Sequence, residues 1–172
     1  MKNTKEENMR ITNYNLVMDN QKILTLVKES ATNYTLQENL RHPSKIAQFM
    51  RDMYNAHNLP EEHLWAIAFT NKLKPIGVFE ISHGSISNTI VDPKAIFQRI
   101  LLCAAGGFVI CHNHPSNDPH PSKEDLDMTR KVKEGADILE ISMIDHIIIG
   151  DETYYSFAEE GTINKKKEKI LC

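Results

Sequence analysis

A mixed α/β domain, with a central sheet covered by helices, is the fold class predicted by three observations. Short apolar runs of strand character alternate with apolar stripes at helical spacing. Proline and glycine residues punctuate the junctions between them. The chain of 172 residues, 41% hydrophobic and 25% charged, is long enough to bury one substantial core and too apolar to be disordered. No internal repeat or low-complexity linker divides it.

Residues 1 to about 10 are polar and expected to be loose. Ile23 to Val27 is short and apolar, and both strand and helix fit it. From Ser44 onward Ile46, Ala47, Met50, Met53, Tyr54 and His57 recur at helical spacing, and Pro60 closes the segment. Leu64 to Phe69 is a continuous apolar run, as in a buried strand. Asn71 to Pro75 supply a turn, and Ile76 to Ile86 form a second strand carrying Glu80, so the two read as a hairpin. Asp92-Pro93 starts a helix, aspartate as cap and proline at the first helical position. Ile96, Phe97, Ile100, Leu101 and Ala104 give its apolar stripe, ended by Gly106-Gly107.

Phe108 to Cys111 is a short buried strand running into His112-Asn113-His114. A proline-rich loop, Pro115 to Pro121, leads to a helix opened by Ser122, with Leu126, Thr129 and Val132 on its inner face. Ile138 to Ile149 is strand-rich with polar interruptions, and Tyr154 to Phe157 makes a last short strand. The expected organisation is a loose end over residues 1–10, one domain over 11–160 and a basic tail over 161–172.

Composition excludes several classes. No apolar run approaches the ~18–20 residues that span a bilayer, and no apolar segment follows the charged start, so cytoplasmic residence is expected. Cys103, Cys111 and Cys172 lack CxxC spacing and suggest neither a disulfide framework nor a four-thiolate metal site. The net charge of −3 argues against tight binding to a phosphate backbone. The basic cluster Lys165, Lys166 and Lys167 reads as a solvated tail.

Chemistry concentrates between His112 and Asp125. Two histidines at i and i+2, leaving a strand, project to one side and can reach one metal. Asp125 lies in the first turn of the next helix, which the loop can fold back over the strand end. Two nitrogens and one carboxylate oxygen form a usual catalytic zinc set, with the fourth position open to water. Ser122 and Asp125 also have a purely structural reading as a helix-capping pair.

Together these residues resemble the JAMM (JAB/MPN-type) metalloproteases, whose motif is a glutamate upstream of His-x-His, seven residues, Ser, two residues, Asp. Here the corresponding residues are Glu80, His112, His114, Ser122 and Asp125. Within that group the chain is similar to the RadC-like branch. His112 to Ser116 reads HNHPS, and Asp118-Pro119 with Pro121-Ser122 continues it. Asp145 to Gly150 and Tyr154 to Phe157 are further echoes. The resemblance covers roughly residues 11 to 160. Asn117 departs from the branch, which has glycine there; asparagine is the next best residue at a left-handed position.

The resemblance implies a single JAB/MPN-like domain with deaminase-like layering and an amide-bond hydrolase acting on a peptide or isopeptide-linked protein. Zinc (Zn2+) would be held by His112, His114 and Asp125, with Glu80 as general acid and base and Ser122 as oxyanion donor. Longer members carry an N-terminal helix–hairpin–helix segment associated with DNA binding. None is recognised in these residues, so a direct DNA-repair role is less expected. A non-catalytic scaffold is a further alternative. A nucleoside deaminase would need His-x-Glu and Pro-Cys-x-x-Cys, and neither occurs.

Overall fold

The computed structural model describes residues 7–36, 40–84 and 92–163. The chain order is β1 (Glu7–Met18), β2 (Leu24–Leu36), α1 (Pro43–Tyr54), β3 (His63–Phe69), β4 (Pro75–His83), α2 (Pro93–Leu102), β5 (Gly107–Asn113), α3 (Lys123–Ile138), β6 (Ser142–Ile149) and β7 (Tyr154–Ser156). The strands form one mixed sheet in the order β2-β1-β4-β3-β5-β6-β7. Neighbours are antiparallel except β1 with β4 and β5 with β6.

The sheet is buried on both faces where β3 and β5 run through its middle. Along β3 the side chains alternate, as extended backbone requires. Trp65, Ile67 and Phe69 join Ile46, Phe49 and Met50 of α1 in one core cluster. Leu64, Ala66 and Ala68 join Ile96 and Ile100 of α2 and Val132 and Ala136 of α3 in the other. This double covering explains why Leu64 to Phe69 is continuously apolar. It also means that β5, buried along its whole length, can deliver polar residues only at its C-terminal end.

Several helix signals act locally. Asp92 caps α2 by accepting from the Lys94 N–H at 3.0 Å, and Pro93 is the first helical residue. Gly106 lies where a Cβ would collide with the Asn71 side chain of the β3–β4 turn. The β3–β4 hairpin pairs Trp65 with Glu80 and Ala66 with Phe79.

Three expectations need correction, and one open reading is resolved. Residues 7–10, read as loose, are paired in β1, and of Ile23 to Val27, which both strand and helix fitted, the part from Leu24 onward lies in strand β2. Ile138 ends α3, so the following strand starts at Ser142. The inner face of α3 is Asp125, Thr129, Val132 and Ala136, whereas Leu126 is 43% exposed. The C-terminal part of the strand read as ending at Ile86, and the lysines at 165–167, lie outside the described residues. Among the described residues no helix is long and apolar enough to cross a membrane.

Candidate metal centre

The end of β5 carries His112, fully buried, and places His114 just beyond it, partly buried. Hydrogen bonding from the His114 N–H to the Ile149 carbonyl carries the β5–β6 pairing one residue past the strand. Asp125, 2% exposed, faces both rings from the first turn of α3. His112 Nε2 lies 3.0 Å from His114 Nε2. Asp125 Oδ1 is 3.2 Å from His112 Nε2, and its Oδ2 is 3.4 Å from His114 Nε2.

These spacings test the donor set directly. Ligand bonds of 2.0–2.1 Å in tetrahedral geometry put neighbouring donor atoms about 3.3 Å apart. The two nitrogens are therefore about one edge of such a tetrahedron apart, and each lies a similar distance from a different oxygen of the Asp125 carboxylate. The second nitrogen of His114 supports this use. Its Nδ1 lies 2.7 Å from the Asp118 carbonyl oxygen, which only accepts, so Nδ1 carries a proton and Nε2 is the nitrogen turned toward His112 and Asp125. The cluster fits a metal ion, and its described members are these three residues.

Ser122 lies within the same constellation. Its Oγ accepts from the Asp125 N–H at 3.1 Å and donates to Asp125 Oδ2 at 2.6 Å, and its backbone N–H reaches the same oxygen at 2.8 Å. The capping reading and the site reading are thus one arrangement, because the cap orients the carboxylate. Burial alone would raise the Asp125 carboxyl, but its contacts with the His112 and His114 rings and the Ser122 hydrogen bond hold it well below the ordinary range. Burial alone would lower His114, yet the Asp125 bond, the Asp118 carbonyl and the charges of Asp125 and Glu62 raise it.

Glu80 is placed differently. Its Oε1 lies 3.1 Å from His63 Nδ1 and 3.1 Å from His83 Nδ1, and its side chain is half-exposed. Glu62, just before β3, is instead the glutamate whose charge acts on His114. The backbone on either side of Glu62 is pinned by the residue between the two histidines. Asn113 Oδ1 accepts from the His63 N–H at 2.7 Å, and its Nδ2 donates to the Glu61 carbonyl at 3.0 Å.

Residues 40–162 match the family described as the RadC-like JAB domain. The chain belongs to that family. Among curated relatives, the UPF0758 protein of Methanococcoides burtonii is 43% identical over 113 residues, 65% of this chain and 49% of its own length. The UPF0758 protein of Flavobacterium johnsoniae is 41% identical over 103 residues, 60% of this chain and 45% of its own. The one from Clostridium acetobutylicum is 37% identical over 121 residues, 70% and 52%. The chain spans about half the length of these relatives.

In this RadC-like JAB domain the His114 loop is stacked on the β6–β7 turn. Asn117 adopts φ 62°, the left-handed conformation for which asparagine is suited. A Cβ on Gly150 would lie 2.6 Å from the Asn117 carbonyl oxygen, so the close approach requires glycine. Beneath the histidines lies a group that sequence spacing assigned no role. His146 Nε2 is 2.8 Å from His112 Nδ1, and His146 Nδ1 is 2.6 Å from Thr129 Oγ1. Burial, then the neighbouring His112, push His146 well below the ordinary histidine range. The signal for Thr129 was its place one turn after Asp125 on the inner face; His146 showed only as part of the Asp145 to Gly150 echo, and Glu62 had no signal beyond its residue type.

Proposed function

We propose that this RadC-like JAB domain is a zinc-dependent hydrolase of amide bonds, a metallopeptidase or isopeptidase. The observation that carries the reading is the cluster of His112 Nε2 and His114 Nε2, 3.0 Å apart, with Asp125 Oδ1 3.2 Å from the first and Oδ2 3.4 Å from the second, close to the donor spacing of a tetrahedral site. His112, His114 and Asp125 would hold the ion, and two nitrogens with one carboxylate suit zinc. When bound, zinc polarises a carbonyl and acidifies water to a pKa of about 7.

The chain's own residues would do the rest. A carboxylate takes a proton from water and returns it to the leaving amine nitrogen. The resemblance to the JAMM motif assigns that task to Glu80. The charge of Glu62 on His114, and the pinning of its flanking backbone by Asn113, favour Glu62 instead. Ser122 orients Asp125 and, where its proton is released from Oδ2, can donate to an oxyanion. A peptide or isopeptide-linked protein is the proposed partner. With a net charge of −3, weak binding to nucleic acid is proposed alongside it.

The test compares zinc content and turnover for Glu62→Gln and Glu80→Gln on a panel of peptide and isopeptide substrates. Glu62→Gln is expected to keep zinc and lose about 10²–10⁴-fold in rate, with Glu80→Gln close to the parent. The reverse pattern returns the role to Glu80. A zinc-loaded parent that cleaves nothing in the panel removes the hydrolase reading.

A further inference from the structure

A neutral imidazole donates from one ring nitrogen and accepts at the other, and its neighbours decide which. A metal centre needs His112 to present a bare Nε2. Four residues of the fold make that choice. Thr129 Oγ1 lies 2.6 Å from the Asp125 carbonyl oxygen, which only accepts, so the single hydroxyl proton points there. At 2.6 Å from His146 Nδ1, the same Oγ1 must then receive a proton from that ring. His146 is fully buried and stacked on Phe157, and its ring nitrogens meet Thr129 and His112 rather than a carboxylate, so the ring holds one proton and its Nε2 is left bare. That nitrogen is 2.8 Å from His112 Nδ1, which must donate to it. The lone pair of His112 is therefore on Nε2, facing His114 and Asp125.

We propose that Thr129 and His146 are positioning residues that fix the tautomer of His112, so that its metal-binding lone pair is set before an ion arrives. The hydrogen bonds run from His112 through His146 and Thr129 to the carbonyl of Asp125, the residue whose carboxylate faces His112 Nε2. Helix α3 thus supplies one ligand directly and, one turn later, sets the proton of another. The competing account makes the Thr129 bond an ordinary threonine back-bond to the preceding helical turn. That account predicts an effect on stability and none on a proton two residues away.

This inference rests on the metal reading above, and its test separates the two. Long-range proton–nitrogen correlation spectra of the metal-free protein report which nitrogen of each ring is protonated. Zinc affinity is measured by competition with a chelator. The parent is expected to show Nδ1–H on both His112 and His146. Thr129→Val removes the acceptor, so the His146 proton moves to Nε2 and the His112 proton is driven to Nε2, against Asp125. Zinc affinity should fall about 10- to 100-fold, as for other outer partners of metal-bound histidines. Thr129→Ser keeps the hydroxyl and should match the parent in both readouts.

An Nε2–H form of either ring in the parent overturns the proposal, and that measurement needs no variant to fold. Unchanged zinc affinity in a folded Thr129→Val also overturns it, even if the tautomer moves. A parent that takes up no zinc removes the metal reading, while its spectra still decide whether the proton relay exists.

Discussion

Asn113 lies between two proposed metal ligands, yet its amide is bonded to backbone 50 and 52 residues away in sequence, at His63 and Glu61. It is 1% exposed, so those groups have no solvent to replace it. Asn113→Ala should cost about 1–3 kcal/mol, the usual penalty for stranding buried hydrogen-bonding groups. It should also lower turnover more than zinc content, because it releases the backbone around Glu62 while leaving His112 and His114 in place. Chemical denaturation and metal analysis of the one variant check both halves; unchanged stability would show that the amide is not needed there. At this scale the sequence was legible where spacing carries information. His112, His114 and Asp125 stand out as a set because a metal site would constrain their separations. Asn113 and Glu62 do not, since a loop glutamate and the middle residue of His-x-His look alike whether they face solvent or a site. His146 was visible only as part of a family echo, because a buried histidine's partners come from other elements.

The helices show what local chemistry can and cannot disclose. The starts of α2 and α3 were readable because a cap, a proline or an acidic third residue acts within its own turn. The buried row of α3 was misread at Leu126, since the helix turns polar residues, Asp125 and Thr129, toward the sheet and leaves the leucine outside. Apolar spacing finds the core side of a helix only where that side is apolar. The cap of α3 can be tested by Ser122→Ala. Loss of the bond from the Asp125 N–H should cost about 1 kcal/mol, within the ordinary range for such caps. Asp125 Oδ2 keeps the Ser122 backbone N–H, so zinc content should change little. A melting temperature equal to the parent's would show that the cap contributes nothing, and a loss of all zinc would show that the hydroxyl is indispensable to the ligand set.

Across the whole molecule the least legible part is the β1–β2 hairpin, which lies outside residues 40–162 of the family match. Its strands are long, but β1 registers with the rest of the sheet through Asn13 and Val78, and much of the hairpin is exposed. Little burial means little apolar periodicity, so polar strands read as loose chain. Val17 and Val27, 46% and 47% exposed, should accept Thr with less than about 0.5 kcal/mol of change, as surface positions do. A larger loss in denaturant titrations would show that something covers them. The candidate centre has the opposite character, since its donors sit at a strand end and on a separate helix joined by a proline-rich loop. Unfolding scatters them, and the ion can then be captured only by the native form. Zinc becomes a mass-action ligand of the native state. At a free concentration 100 times its Kd it should add about 2.7 kcal/mol to stability, and ten times more ion should add a further ~1.4. The melting temperature should climb with the logarithm of zinc concentration and return on adding a chelator; one indifferent to zinc would mean that the three side chains cluster without taking up an ion.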